Sequence, residues 1–124
     1  MSDIKEQSTR DKGTEGEEAA CKFLEELGYS IVKRNFHFGT IGEIDIIAKD
    51  GDVLVFVEVK SKKPDSDFNL LDSLTPRKQK NLKRVAEGYY YVNKLSDTES
   101  RFDVITIDFK NQPPEIEHYK TAFY

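Results

Sequence analysis

Two runs rich in β-branched and aromatic residues, Ile41–Ala48 and Val53–Lys60, flank the dipeptide Asp50-Gly51. This pattern signals an antiparallel hairpin, because Asp-Gly takes up the tight turn whose twist matches paired strands. With Asp50 and Gly51 as the two loop residues, Lys49 pairs with Asp52, Glu43 faces Glu58, and Asp45 faces Phe56. Facing residues share one side of a sheet, and side chains alternate along each strand. The expected register therefore projects Glu43, Asp45, Glu58 and Lys60 from one face. Asp45 and Glu58 become diagonal neighbours, with Cα atoms about 7–8 Å apart.

The rest of the chain supplies elements to pack on this hairpin. Residues 1–8 read as a loose, flexible polar tail and residues 9–124 as a single domain. Ala19, Ala20, Phe23, Leu24 and Leu27 recur at helical spacing, with Gly28 placed to end the helix. Thr14 and Glu17 have the spacing of a capping box, although the helix can also reach back past Gly13. Tyr29–Phe36 is a candidate strand. Residues 61–75 form a polar loop, and Thr75-Pro76 marks the start of a helix to about Val92, striped by Leu82, Val85, Ala86 and Tyr89. Phe102–Phe109 reads as a further strand and Ile116–Phe123 as an edge strand or terminal segment.

The 124 residues suit one core, and the single cysteine, Cys21, excludes an intramolecular disulfide and a cysteine-rich zinc site. A reducing, cytoplasmic compartment fits. No apolar run is long enough to span a membrane, and the polar N-terminus is no secretory signal. The net charge is −4, yet residues 60–85 hold eight basic side chains against three acidic ones. Lys60, Lys62, Lys63, Arg77, Lys78, Lys80, Lys83 and Arg84 make a segment able to meet a polyanion; the alternative is a solvated helix face.

Carboxylates crowded on a partly buried sheet repel one another unless a cation neutralises them. A hard divalent ion takes oxygen ligands, polarises phosphate and lowers the pKa of water. An ammonium at Lys60, two residues beyond Glu58, is placed to orient water or to stabilise charge developing on phosphorus. The competing reading is a solvated strand face with Glu and Lys in cross-strand pairs.

The segments Gly42-Glu43-Ile44-Asp45-Ile46-Ile47-Ala48 and Val55-Phe56-Val57-Glu58-Val59-Lys60-Ser61 resemble the YraN-type endonuclease family of bacteria. The family is in turn similar to archaeal Holliday-junction resolvases. The likeness runs from about Gly13 to Phe123 and takes in Gly16-Glu17, Ala20, Asn35, Lys78 and Arg101-Phe102-Asp103-Val104. It implies a restriction-endonuclease-like (tRNA-endonuclease-like, PD-(D/E)XK) fold, a three-layer α/β/α sandwich around a central mixed sheet. It implies a hydrolase cutting nucleic-acid phosphodiesters with Mg²⁺ or Mn²⁺, on branched or damaged DNA in repair or recombination. Asp45 and Glu58 would bind metal and Lys60 would be the catalytic lysine. Glu17 would be a third ligand or a helix cap, and Glu43 a neighbour that hydrogen-bonds the site. Lys62, Lys63, Arg77, Lys78, Lys80 and Arg101 would contact nucleic acid; for Arg101 the alternative is a pair with an acidic neighbour. Lys78 and Gln79 lie where such enzymes carry a helix-borne polar residue. A homodimer would bring two sites to two strands. The rival is a non-catalytic nucleic-acid-binding or protein-interaction module that keeps the fold. His37 and His118 read as surface or structural residues. Tyr89-Tyr90-Tyr91 reads as core and rim, or as a surface for stacking bases.

Overall fold

Val53–Lys62 (β3) is buried on both faces from Leu54 to Val57, which makes it the centre of the molecule. In the computed structural model the backbone is described for residues 3–62 and 74–124, and the side chains for residues 15–61 and 74–124. Five strands form one sheet in chain order: β1 (Ser30–Phe38), β2 (Gly42–Asp50), β3, β4 (Ser100–Asp108) and β5 (Glu115–Phe123). All neighbours are antiparallel except β3 and β4, which are parallel. Parallel neighbours need a long crossover, and helix α2 (Pro76–Val92) lies within it. This is an α/β fold with a mixed sheet.

The two helices cover opposite faces. Ala20, Cys21 and Leu24 of helix α1 (Asp3–Glu26) pack on Val55, Val57, Ile105 and Ile107. Leu82, Val85, Ala86 and Tyr89 of α2 pack on Leu54, Phe56 and Val104, the alternate residues of the same strands. Thr75 caps α2, its Oγ1 accepting from the Lys78 amide, and Pro76 occupies the first turn as expected. At the end of α1 the Gly28 amide bonds the Glu25 carbonyl and the Tyr29 amide bonds that of Leu24, as expected for a glycine stop. Leu27 lies outside the apolar stripe, 51% exposed.

Two expectations change. The backbone of residues 3–8 is helical where a loose tail was expected. The first proline of the chain is Pro64, and one interior glycine such as Gly13 costs a helix only about 1 kcal/mol. The hairpin register moves: Asp50 pairs with Val53 and Lys49 with Leu54, so the loop is Gly51-Asp52 rather than Asp50-Gly51. Gly51 has φ 61°, and a glycine first in a two-residue loop suits the type II′ turn. The shift is by an even number of residues, so each side chain keeps its expected face near the turn. Of the two readings of Ile116–Phe123, the edge strand holds: it is paired with β4. Most of the 61–75 loop, including Lys63, lies outside the described residues.

Candidate functional site

Beyond the pair Ile46–Val57 the β2–β3 ladder stops. The Val59 amide finds its partner in a side chain: Asp45 Oδ2 accepts from it at 2.8 Å. A backbone N–H withdrawn from water needs a partner, and here a carboxylate replaces the ladder carbonyl. On β1, Asn35 stands at the matching level between the pairs Arg34–Ile46 and Phe36–Ile44, with φ 53°. Asparagine tolerates this left-handed conformation better than most residues.

The facing pattern breaks at this point. Ile46 packs with α1, whereas Ile44, two residues earlier, packs with α2. Glu43 borders both helices, sharing a small cavity with Lys78, Asn81 and Leu82 of α2 and a carboxylate cluster with Glu17 of α1. One carboxylate oxygen from each of Glu17, Glu43 and Asp45 lies within 4.8 Å of the others. Glu43 and Asp45 gather with Glu17 of α1, while Glu58, engaged by Lys78 of α2, stands near enough to Asp45 to raise its pKa. Glu43 is closer to the centre of the site than the sequence placed it.

Glu17 lies well inside α1, which begins at Asp3, so it does not cap a helix start. Its side chain is 16% exposed. Asn35 Nδ2 donates to its Oε2 at 3.0 Å, with Arg34 Nη2 3.4 Å from the same oxygen. The adjacent Gly16 permits the approach of α1: a Cβ there would stand 2.9 Å from Ser61 Oγ and 3.9 Å from Val59 Cγ1. Arg34 and the role of Asn35 escaped sequence reasoning. The one sequence trace is an asparagine inside a strand run, where that residue is disfavoured.

Glu58 is almost enclosed, 8% exposed at its side chain. Lys60 Nζ on β3 and Lys78 Nζ on α2 both stand 3.4 Å from its Oε1. The cap at Thr75 fixes where Lys78 leaves the helix. Gln79 serves the loop, donating to the Leu74 carbonyl at 2.7 Å. Arg77 and Lys80 are solvent-exposed on the same helix.

Two aspartates, one buried and one half-buried, show what is unusual here. Asp103 is fully buried and also carries a bulge, accepting from the Thr121 amide at 3.0 Å. Burial alone would raise its pKa. His118 at 2.7 Å, the Thr121 amide and Arg101 at 3.1 Å outweigh that, and it is held below the usual carboxylate range. Asp45 has no such compensation: among the described residues no ion pair involves it. Burial, then the nearby Glu58, with Glu17 and Glu43 adding to them, push it up to about 7 against the pull of the Val59 amide. Arg101 is engaged by Asp50 at 3.1 Å, by Asp103, and by the Tyr29 hydroxyl at 2.6 Å. It therefore takes the acidic-pair role. His118 is a buried structural residue; His37 is exposed, 3.7 Å from Glu43.

A hard divalent cation fits this donor set. Oxygens on one such ion stand up to about 4–5 Å apart, twice the metal–oxygen bond, and Glu17, Glu43 and Asp45 already meet that limit. A cation would also relieve the repulsion that raises Asp45.

The fold and site define an α/β protein in which two strands part around a carboxylate cluster backed by lysines. Residues 16–107 match the uncharacterised protein family UPF0102, a span holding every member of the cluster. The chain belongs to that family, in agreement with the YraN-type resemblance of its strand motifs. A UPF0102 protein of Caldicellulosiruptor saccharolyticus is 41% identical over 116 residues, covering 92% of this chain and 98% of the relative. One from Geotalea daltonii is 45% identical over 113 residues (90% and 87%), and one from Syntrophus aciditrophicus 40% over 111 residues (90% and 87%). No helix among the described residues is long and apolar enough to cross a membrane.

Proposed function

We propose that this chain is a metal-dependent endonuclease of the restriction-endonuclease-like type, hydrolysing phosphodiesters of branched or damaged DNA. The observation that carries the reading is Asp45: a half-buried carboxylate among Glu17, Glu43 and Glu58 with no cationic partner among the described residues. Structural ion pairs do not leave such a group uncompensated, as Asp103 illustrates within the same sheet.

Glu17, Glu43 and Asp45 would hold Mg²⁺ or Mn²⁺, with Glu58 beside them. When bound, the ion supplies Lewis acidity toward a phosphodiester and lowers the pKa of water. Asn35 and Arg34 hold the Glu17 carboxylate toward the cluster. The Val59 amide fixes Asp45. In the hydrolysis, water adds to phosphorus and the bond to the leaving sugar oxygen breaks. Lys60, tethered to Glu58, offers its ammonium to a non-bridging phosphate oxygen as charge builds there. Lys78 anchors the start of α2 to the same carboxylate, and Arg77 and Lys80 face the phosphate backbone.

A second reading is favoured by Glu58, whose two lysines neutralise it without any ligand. Under it the chain is a nucleic-acid-binding module without turnover. The test incubates branched, single-stranded and duplex DNA with Mg²⁺ or Mn²⁺. The proposal expects cleavage that falls about 100-fold or more in Asp45→Ala and in Lys60→Ala. Cleavage that survives both substitutions contradicts it, and binding without cleavage in either metal decides for the second reading.

A further inference from the structure

The solvent face of α2 carries Arg77, Lys80, Lys83 and Arg84, all exposed, and among the described residues none of them forms an ion pair. At about 100° per residue, Arg77, Lys80 and Arg84 fall within roughly 60° of one another, and Tyr91 lies in the same line. Tyr91 is 81% exposed. The stripe starts at the end of α2 tied to Glu58 and, from Arg77 to Tyr91, runs about 21 Å toward the far end of the helix.

There it meets a cleft. A cavity of about 400 Å³ opens between α2 and the start of β4, bordered by Lys83, Glu87, Tyr90, Ser100, Phe102 and Tyr124. A second cavity, about 430 Å³, adjoins it and shares Ser100, Phe102 and Tyr124. The back wall is rigid: Phe102 stacks on Phe123 with ring centroids 4.7 Å apart, and the Tyr90 hydroxyl is tied to the Thr98 carbonyl. Tyr124 is 90% exposed at the rim. Lys83, about 60° round the helix from Lys80, lies between the stripe and the cleft that it lines.

We infer that the cleft at the far end of α2 receives an unpaired nucleobase of a strand whose phosphates follow the Arg77–Lys80–Arg84 line. The occupant follows from the neighbouring chemistry. A row of uncompensated cations attracts phosphates, and aromatic rings at its end offer a flat apolar seat for a base. Glu87 at the rim repels phosphate and accepts a hydrogen bond from a base amino group, which puts the base inside and the backbone on the Lys83 side. Bases within a duplex stay stacked, so the seat selects single-stranded or forked nucleic acid. This inference rests on the proposed nuclease reading for the end of α2 at which the strand is cut, but base binding itself needs neither metal nor turnover.

The test is therefore made in EDTA. A 20-nucleotide single strand carrying 2-aminopurine, a forked DNA and a blunt duplex of equal length are titrated with wild-type protein, Tyr124→Ala and Lys83→Ala. The single strand and the fork should bind the wild type more tightly than the duplex does, with quenching of 2-aminopurine on the single strand. Tyr124→Ala should remove the quench and weaken single-strand binding about tenfold while leaving duplex binding unchanged. Lys83→Ala should weaken both and flatten the salt dependence. Equal single-strand binding by wild type and Tyr124→Ala, a preference for duplex, or no binding of any probe would overturn the inference. Quenching in a protein that never cleaves DNA with Mn²⁺ would uphold the base seat while removing the nuclease reading.

Discussion

Asp45 concentrates the chemistry of this molecule in one side chain. It replaces a backbone carbonyl in the sheet, and its carboxylate stands among three others. Its folded-state pKa of about 7 lies above the value near 3.8 expected in the unfolded chain. The folded protein thus holds that proton more tightly, so between about pH 4 and pH 7 metal-free stability falls as pH rises, on the order of 4 kcal/mol in all. Asparagine keeps an oxygen for the Val59 amide and carries no charge. Asp45→Asn should therefore melt well above the wild type at pH 8 in EDTA, and the difference should close toward pH 4. A gap in melting temperature that stays constant over this range would show that repulsion at Asp45 is not its source. Little of this was legible beforehand. Sequence pattern put Glu43, Asp45, Glu58 and Lys60 on one face but held no sign that the β2–β3 ladder ends at Ile46–Val57. The break in alternation depends on a hydrogen bond between residues 14 apart, and local periodicity carries no record of it. Glu17 was ambiguous for a related reason: Thr14 and Glu17 have the spacing of a cap, and only the helix start at Asp3 removes that reading.

At the level of elements, the same device appears twice with opposite electrostatics. Between Phe102 and Val104 the β4–β5 register shifts, Thr121 adopts φ 49°, and Asp103 accepts its amide. Here Arg101 supplies the charge that Asp45 lacks, and His118 adds a hydrogen bond. Arg101 also reaches Asp50 at the hairpin and Tyr29 after α1, so one guanidinium joins three parts of the fold. Its side chain is only 17% exposed. Asp103→Ala would strand that cation and open the bulge, with an expected loss of about 3–5 kcal/mol in chemical denaturation. A loss under about 1 kcal/mol would mean that the network is ornamental. Strands and helices were largely readable, since β-branched runs, Thr75-Pro76 and Gly28 are local signals. The Arg101–Asp50 pair was not, because its partners lie 51 residues apart and meet only once β3 and β4 run side by side.

Across the whole molecule the two helices place different chemistry on the two sides of one opening in the sheet. From α1 comes Glu17, brought close by Gly16 against Ser61; from α2 comes Lys78, set by the Thr75 cap. The parted strands β2 and β3 lie between. A net charge of −4 does not prevent engagement of a polyanion, because the exposed face of α2 is cationic while acidic residues predominate elsewhere. The proposed function requires that Glu17, Glu43 and Asp45 hold a divalent cation. Calorimetric titration of the wild type and Asp45→Asn with Mn²⁺ at pH 8 decides this. The wild type should give a binding isotherm that is lost in the variant. Equal isotherms for the two proteins, or none for the wild type at millimolar Mn²⁺ even with nucleic acid present, would contradict it.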